Sequence, residues 1–228
     1  MERGKFIVFE GIEGSGKSTQ AELLYQYMKD NEIPVYLTKE PSDGPIGELC
    51  HKEYLSGKQK THPEVINKMI RTDRVDHVLN KENGILLMIE NGINVISDRY
   101  AMSDFAYANI ENLSYPKFAV ETISQCIKEN KIALSYLIPD ITFFVDTDPK
   151  VCMDRINARN DTKEIYDNIE SLERLQKSYK FYLYKQEEIK EDHIIKLWPY
   201  FNTCIVDGNG NATDIHKYIV NVLNFKED

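Results

Sequence analysis

Glycine, lysine and hydroxyl side chains near the start of the chain have the spacing of a phosphate-binding loop. Within the sequence KFIVFEGIEGSGKST, four residues separate Gly11 from Gly16, and Lys17 and Ser18 follow directly, which satisfies the pattern G-x-x-x-x-G-K-[ST]. Glycines let the backbone wrap closely round a phosphate chain with its N–H groups pointing at the anion. A lysine in this place reaches the β- and γ-phosphates of a nucleoside triphosphate, and the hydroxyl group can bind Mg²⁺. The predicted cofactor-binding residues are Gly11, Ile12, Glu13, Gly14, Ser15, Gly16, Lys17, Ser18 and Thr19.

A buried strand and an amphipathic helix are predicted to hold this loop in place. Residues 6–9 form a continuous apolar run, which is typical of a strand buried on both faces. Ala21, Leu24 and Met28 then recur at helical spacing, and the positive N-terminus of such a helix attracts phosphate groups. An ordinary glycine-rich turn is the alternative interpretation, but the strand and the helix on either side of the loop favour phosphate binding.

A carboxylate and a guanidinium group follow the next informative strand. The apolar run in NVISDRY ends at Asp98 and Arg99, and in a parallel sheet both residues would lie beside the phosphate loop. A surface ion pair is the alternative, and we favour the functional interpretation. The loop KEPSDGPIGE, which follows a predicted strand at 34–37, brings Lys39 and Glu40 to the same edge of the sheet. A solvated turn explains that composition almost equally well.

The remaining periodicity predicts strands that alternate with helices. The predicted strands are 6–9, 34–37, 94–100, 141–145 and 203–206. The predicted helices are 46–82 in two pieces, 85–90, 101–112, 117–130, one from Pro149 with Asp148 as its N-cap, 171–188 and 215–223. This alternation indicates an α/β fold with a parallel sheet of about five strands flanked by helices. A single domain is expected to cover residues 1–228.

Composition argues against several classes of function. The 228 residues are 42% hydrophobic and 29% charged, as in a globular protein with a large core. The net charge of −9 disfavours a nucleic-acid-binding surface, and the apolar runs are too short to span a membrane. Because the four cysteines are scattered and the chain starts without a signal-peptide pattern, a reducing compartment such as the cytoplasm is expected.

Five motifs in sequence order resemble those of thymidylate kinases. After the phosphate loop come KEPSDGPIGE, TDRVDH, SDRYAMSDFAY and PDITFFVDTDP. Each motif alone is shared with many P-loop kinases, whereas the ordered set is specific to this family. The resemblance covers about Lys5 to Leu223 and implies a P-loop NTPase-type, nucleoside-monophosphate-kinase-like fold, usually dimeric, with a lid at about residues 158–168. It also implies Mg²⁺-dependent transfer of the ATP γ-phosphoryl group to dTMP, which gives dTDP for DNA synthesis.

The resemblance implies roles for individual residues in catalysis, in Mg²⁺ binding and in acceptor binding. Lys17, Asp98, Arg99 and Arg159 are the implied catalytic residues, and Ser18 and Asp98 are the implied Mg²⁺ ligands. The implied acceptor-binding residues are Glu13, Lys39, Ile70, Arg74, Arg99, Ser103 and Tyr107. In the family, these positions contact the sugar 3′-hydroxyl, the acceptor phosphate, the thymine base and the deoxyribose.

Some positions depart from the family pattern. Gly14 stands where another branch has an arginine, so the sequence resembles the branch whose catalytic cation lies in the lid. That cation is expected to be Arg159 with assistance from Lys163, and Arg155 is the alternative. Ile70 replaces the aromatic residue expected to stack on thymine, and Ala108 replaces a frequent glutamine. Lys39 takes the place of an arginine that would bind phosphate in a bidentate manner.

Three other functions are alternatives to this prediction. A kinase for another nucleoside monophosphate, such as dUMP, differs only in its acceptor. A regulatory GTPase or ATP-driven switch protein would carry an N-K-x-D or D-x-x-G element at a suitable position, and the sequence has neither there. A binding-only pseudoenzyme is disfavoured by the intact Lys17, Ser18, Asp98 and Arg99. The expected partners are therefore a small-molecule acceptor and a second copy of the chain, with no nucleic acid and no membrane.

Overall fold

Five parallel strands form one sheet at the centre of the molecule. A computed structural model describes residues 2–111, 138–159, 164–184 and 202–224. The strands are β1 Phe6–Glu10, β2 Val35–Lys39, β3 Asn94–Asp98, β4 Ile141–Asp146 and β5 Thr203–Asp207. They lie in the order β2-β3-β1-β4-β5, and every neighbouring pair is parallel. The predicted α/β class and strand number are confirmed.

Helices connect the strands, as the periodicity predicts. Within the described residues they are α1 Lys17–Asp30, α2 Pro45–Leu49, a π-helix Cys50–Leu55, α3 Pro63–Leu79, α4 Ile85–Glu90, α5 Ala101–Ile110, α6 Pro149–Ala158, α7 Ile169–Tyr184 and α8 Ala212–Leu223. The Asp148 carboxylate accepts a hydrogen bond of 2.7 Å from the Lys150 backbone N–H, which confirms the predicted cap of α6. The predicted helix at 117–130 and the end of the one at 171–188 lie outside the described residues.

The two faces of β1 are buried against different helices. Ile7 and Phe9 pack on one face in a cluster that includes Leu24 of α1 and Ile219 of α8. Phe6 and Val8 point to the other face, where their cluster includes Val78 of α3 and two residues of α4. Burial on both faces explains why the first strand has no polar alternation.

A third apolar cluster fixes the helices around the end of the sheet. It joins Phe105 of α5 and Cys152 of α6 to Leu172 and Tyr179 of α7. Helix α5 begins just after the carboxyl end of β3, and α6 begins just after that of β4. The cluster therefore fixes the orientation of both helices relative to this edge of the sheet. Within the described residues, no helix combines the length and the apolar composition needed to cross a membrane.

Candidate active site

A single cavity at the carboxyl edge of the sheet is lined by the residues that the sequence points to. The phosphate loop follows β1 and the pair Asp98 and Arg99 follows β3, and these two strands are neighbours. The predicted catalytic, acceptor and metal residues on its wall are Glu13, Lys17, Ser18, Lys39, Ile70, Arg74, Asp98, Arg99, Ser103, Tyr107 and Arg159. Residues separated by up to 146 positions are thus brought to one site.

The backbone of the phosphate loop needs glycine at two positions in particular. Gly14 has φ of 75° and Gly16 has φ of 101°, a region that other residues adopt only with strain. A Cβ atom at Gly14 would also lie 2.5 Å from the Cys152 carbonyl oxygen. Gly16 directly precedes α1, so the first N–H groups of this helix have no capping side chain and can face an anion.

One carboxylate in the loop faces three cations. Glu13 accepts hydrogen bonds from Lys17 Nζ at 3.1 Å, Arg99 Nη2 at 2.8 Å and Arg159 Nη1 at 3.3 Å. The positive charge of Lys17, supported by Arg99, holds the pKa of Glu13 well below its usual range although the group is largely buried. Around this carboxylate three cations are close together, and this local group of positive charges suits a polyphosphate.

Arg99 is held in a strained and heavily bonded position. Its φ is 75°, which is unusual for a residue with a side chain. Its Nη1 atom donates to the Gly11 carbonyl oxygen at 3.0 Å and to Ser103 Oγ at 3.2 Å. Its guanidinium carbon lies 5.6 Å from the centre of the Tyr107 ring. These contacts fix the guanidinium between the phosphate loop and helix α5.

Two oxygen groups in the cavity fit a magnesium ion. Asp98 Oδ1 is buried and finds no hydrogen-bond partner among the described residues, and Ser18 lines the same cavity. The described chain has no cluster of three or more His, Cys, Asp or Glu that could hold a metal. Mg²⁺ usually takes one or two protein oxygens together with water and substrate phosphates, so these two ligands suit a nucleotide-bound Mg²⁺.

A buried ionic cluster surrounds Arg74 in the wall of the cavity. The Arg74 Nε atom donates to Glu40 at 2.7 Å, and its Nη atoms bond to Asp104. The guanidinium carbon lies 5.0 Å from the Tyr100 ring centre. The loop motif and SDRYAMSDFAY contain these carboxylates, but the sequence does not indicate that both hold the same arginine.

Glu10 is a second site feature that the sequence did not reveal. Its carboxylate is fully buried at the end of β1 and accepts hydrogen bonds from the Tyr100 and Ser103 backbone N–H groups. It also contacts the hydroxyl groups of Ser103 and Tyr179 at 2.7 and 3.0 Å. Burial raises its pKa to about 7, against the lowering effect of the Ser103 hydrogen bond. The sequence signal for this buried carboxylate is a glutamate directly after the apolar run of β1.

The candidate lid cations occupy different surroundings. Arg155 donates to the backbone carbonyl groups of Gly14, Ser15 and Gly208 at 3.3, 3.1 and 3.1 Å. Arg159 has a side chain that is 42% exposed and lines the cavity. Lys163 lies outside the described residues.

The other acceptor-side residues stand at the rim or wall of the cavity. Lys39 is half exposed and pairs with Asp43 at 2.9 Å. Ile70 lies on the face of α3 that borders the cavity, between Asn67 and Arg74. Within the predicted lid segment, Tyr166 also lines the cavity, and its ring meets Tyr107 edge-on with 4.9 Å between the centres.

The sequence is similar to those of known proteins along most of its length. A family model described as thymidylate kinase matches residues 9–194. The thymidylate kinase of Rickettsia canadensis is 35% identical over 158 residues, which cover 69% of this chain and 72% of that protein. A probable thymidylate kinase of Methanococcus aeolicus is 34% identical over 221 residues, covering 96% and 95% of the two chains.

A solved structure supports the same fold. The structure of thymidylate kinase from Candida albicans matches with a TM-score of 0.69 at 23% identity, covering 97% of this chain and 92% of that one. At this identity the structural match speaks for the fold alone, and the sequence matches speak for the family. The family prediction made from the ordered motifs is confirmed: this chain belongs to the thymidylate kinase family.

Proposed function

We propose that this protein transfers the γ-phosphoryl group of Mg·ATP to dTMP and releases ADP and dTDP. The observation that carries the proposal is that the phosphate loop, the Asp98–Arg99 pair and one face of α3 border a single cavity. A phosphate donor and a nucleotide acceptor can therefore bind next to each other in this cavity. Family membership supports the same reaction.

The donor side is formed by the phosphate loop and α1. Lys17 and the N-terminal N–H groups of α1 bind the β- and γ-phosphates. Ser18 and Asp98 hold Mg²⁺, which when bound neutralises charge on the phosphate oxygens. Glu13, which lies beside these groups, contacts the sugar 3′-hydroxyl of the acceptor.

The acceptor side places its charged and apolar groups along the cavity. Arg99 and Lys39 bind the 5′-phosphate of dTMP, and Tyr107 packs under the deoxyribose. Ile70 contacts the face of the base, while Arg74 donates to a thymine carbonyl oxygen. The two carboxylates on Arg74 keep its guanidinium in one orientation, so the arginine is preorganised for a planar partner.

Catalysis consists mainly of positioning and charge neutralisation. The acceptor is an ionised phosphate, so no strong general base is needed. We assign the cation on the transferring group to Arg159, because Arg155 is committed to three backbone carbonyls. Residues 158–168 act as the lid whose closure keeps water from the γ-phosphate.

The protein is further proposed to act as a cytoplasmic homodimer with a single domain. The described cysteines Cys50, Cys152 and Cys204 are free thiols, which fits a reducing compartment. Apolar side chains of α3 that point away from the cavity are exposed, with Val75 at 59% and Leu79 at 51%. A second copy of the chain is the proposed cover for this surface.

An acceptor panel with Mg·ATP tests the reaction. ADP formation is measured with dTMP, dUMP, UMP and thymidine, with Lys17→Ala as the inactive control. We expect dTMP to give the highest kcat/KM and both ribonucleotide and nucleoside to be poor acceptors. Preference for dUMP would identify a different monophosphate kinase, and ADP release no higher than with ATP alone would refute the proposal.

A further inference from the structure

Asn67 is a buried polar residue in the cavity wall that the mechanism above does not use. It lies on α3, is 7% exposed and lines the cavity. Its amide atoms are not among the enclosed side-chain atoms that lack a hydrogen-bond partner in the described part of the chain, so the amide reaches the open space of the cavity that Asn67 lines. An amide in a cavity wall offers both a donor and an acceptor to a molecule that enters the cavity. A bound ligand can therefore pair with Asn67.

The position of Asn67 on α3 places it toward the base of a bound nucleotide. Asn67, Ile70 and Arg74 follow one another at spacings of three and four residues, so they share one face of the helix. The proposed phosphate ligand Arg99 and sugar contact Tyr107 stand on other elements of the same cavity. A nucleotide anchored at those two residues must extend its base along the α3 face.

Because Ile70 stands between Asn67 and Arg74 on α3, the base needs hydrogen bonds to fix its orientation. Ile70 gives the base an apolar surface, but an aliphatic group does not fix the direction of a planar ring as stacking does. The orientation of the base within its plane must therefore come from hydrogen bonds at its edges. Arg74 donates only, so a ring carbonyl must face it.

We propose that the Asn67 amide reads the imide edge of the acceptor base. Its carbonyl oxygen accepts the N3–H of thymine, and its N–H group donates to a neighbouring ring carbonyl. An amide offers one donor and one acceptor side by side, which is the complement of this edge. The inference deepens the proposed function and rests on it, and it makes Asn67 a specificity residue for an imide-containing pyrimidine.

The test pairs a protein variant with a modified acceptor. Asn67→Leu keeps the approximate side-chain shape and removes both polar groups, whereas dTMP methylated at N3 removes the imide proton from the ligand. We expect Asn67→Leu to lower kcat/KM for dTMP by about tenfold to a hundredfold, mainly through KM. The preference of the protein for dTMP over the methylated analogue should shrink in this variant. Lys68→Leu, at the exposed neighbouring position of α3, should keep both wild-type values.

The outcomes separate this inference from the proposed function. An equal preference for dTMP over its N3-methyl analogue in the wild-type protein and in Asn67→Leu would overturn the role of Asn67. If Asn67→Leu does not fold, equal kcat/KM of the wild-type protein for the two acceptors would overturn it as well. Loss of all acceptor activity in the wild-type protein would instead refute the proposed function.

Discussion

Glu13 shows how a single residue sets the charge of the site. It stands between Lys17, Arg99 and Arg159, and each of these cations is a candidate partner of phosphate. Lys17 is almost completely buried, and its Nζ atom lies 3.1 Å from the Glu13 carboxylate. A carboxylate at this place keeps the cations together, and a phosphate chain of higher charge can compete for all of them.

The first prediction concerns Arg159. If this residue neutralises the transferring group, Arg159→Ala should lower kcat by about a thousandfold and change KM for dTMP little. That pattern marks an interaction made mainly in the transition state. Steady-state kinetics at saturating ATP provides the measurement.

A control variant tests whether the loss of kcat is specific to Arg159. Lys150→Ala alters an exposed cation on α6, the helix that ends just before Arg159, and should leave kcat unchanged. A normal kcat in Arg159→Ala would move the catalytic role to Lys163.

The second prediction uses the raised pKa of Glu10. Its pKa rises from 4.5 to about 7 through burial, so the folded state binds this proton more tightly than the unfolded state does. The stabilisation is present below about pH 4.5 and is lost as the pH rises through about 7. Glu10→Gln mimics the protonated group at every pH. Its free energy of unfolding relative to wild type should therefore increase by about 3 kcal/mol between pH 4.5 and pH 8.

Urea unfolding of both proteins across this pH range measures the effect. Glu22→Gln, at an exposed position of α1, serves as the matched control and should follow the wild-type curve. A constant difference between Glu10→Gln and wild type would show that Glu10 binds its proton equally in both states.

At the scale of elements, the end of β1 positions two helices. The phosphate loop leads from β1 into α1, while Glu10 at the last position of β1 bonds the backbone at the start of α5. Helix α5 carries Ser103 and Tyr107 and follows Arg99 directly. The phosphate loop and helix α5 are thereby tied to the same strand, which keeps these two parts of the cavity wall in fixed relation.

The third prediction tests how α6 restricts the phosphate loop. Gly14→Arg should lower Tm, because φ of 75° disfavours a side chain and Cβ would meet the Cys152 carbonyl at 2.5 Å. The same change should fail to restore activity to Arg159→Ala, since the loop and α6 would have to move apart. Thermal unfolding and kcat of the single and double variants test this.

The comparison with Gly14→Ala separates strain from charge. This control should lose a similar part of Tm, because the first carbon already clashes. Recovery of kcat in the Gly14→Arg, Arg159→Ala double variant would mean that the loop accommodates an arginine after all.

At the scale of the whole molecule, α3 has one side that lines the cavity and another that is exposed. Asn67, Ile70 and Arg74 line the cavity, whereas Val75 and Leu79 lie outside its lining and are exposed. A partner subunit packed on the exposed face would support the wall that contacts the base. Dimer formation and acceptor binding would then depend on the same helix.

The fourth prediction follows for the oligomeric state. The wild-type protein should have twice the chain mass in light scattering, and Val75→Glu should dissociate it by placing a charge in an apolar interface. Tyr218→Glu, which alters an exposed side chain on α8, should leave the mass unchanged. A wild-type protein with the mass of one chain would refute the dimer.

The sequence by itself determined the fold class, the five strands and the family. These features depend on local patterns: the apolar run of β1, the spacing of Gly11, Gly16 and Lys17, and the Asp148 cap of α6. Each pattern reflects backbone geometry or burial within one segment, so it can be read without knowledge of distant residues. The parallel arrangement also explains why the Asp98–Arg99 pair lies beside the phosphate loop.

Only the tertiary structure decided which partners the buried polar groups have. Glu10 contacts Tyr179 across 169 positions of the chain, and Arg155 bonds to the Gly14 and Ser15 carbonyls about 140 positions away. Sequence periodicity predicts which face of a helix is buried, but not what lies against it. The position of Asn67 in the cavity wall likewise depends on how α3 packs, so the sequence alone does not reveal it.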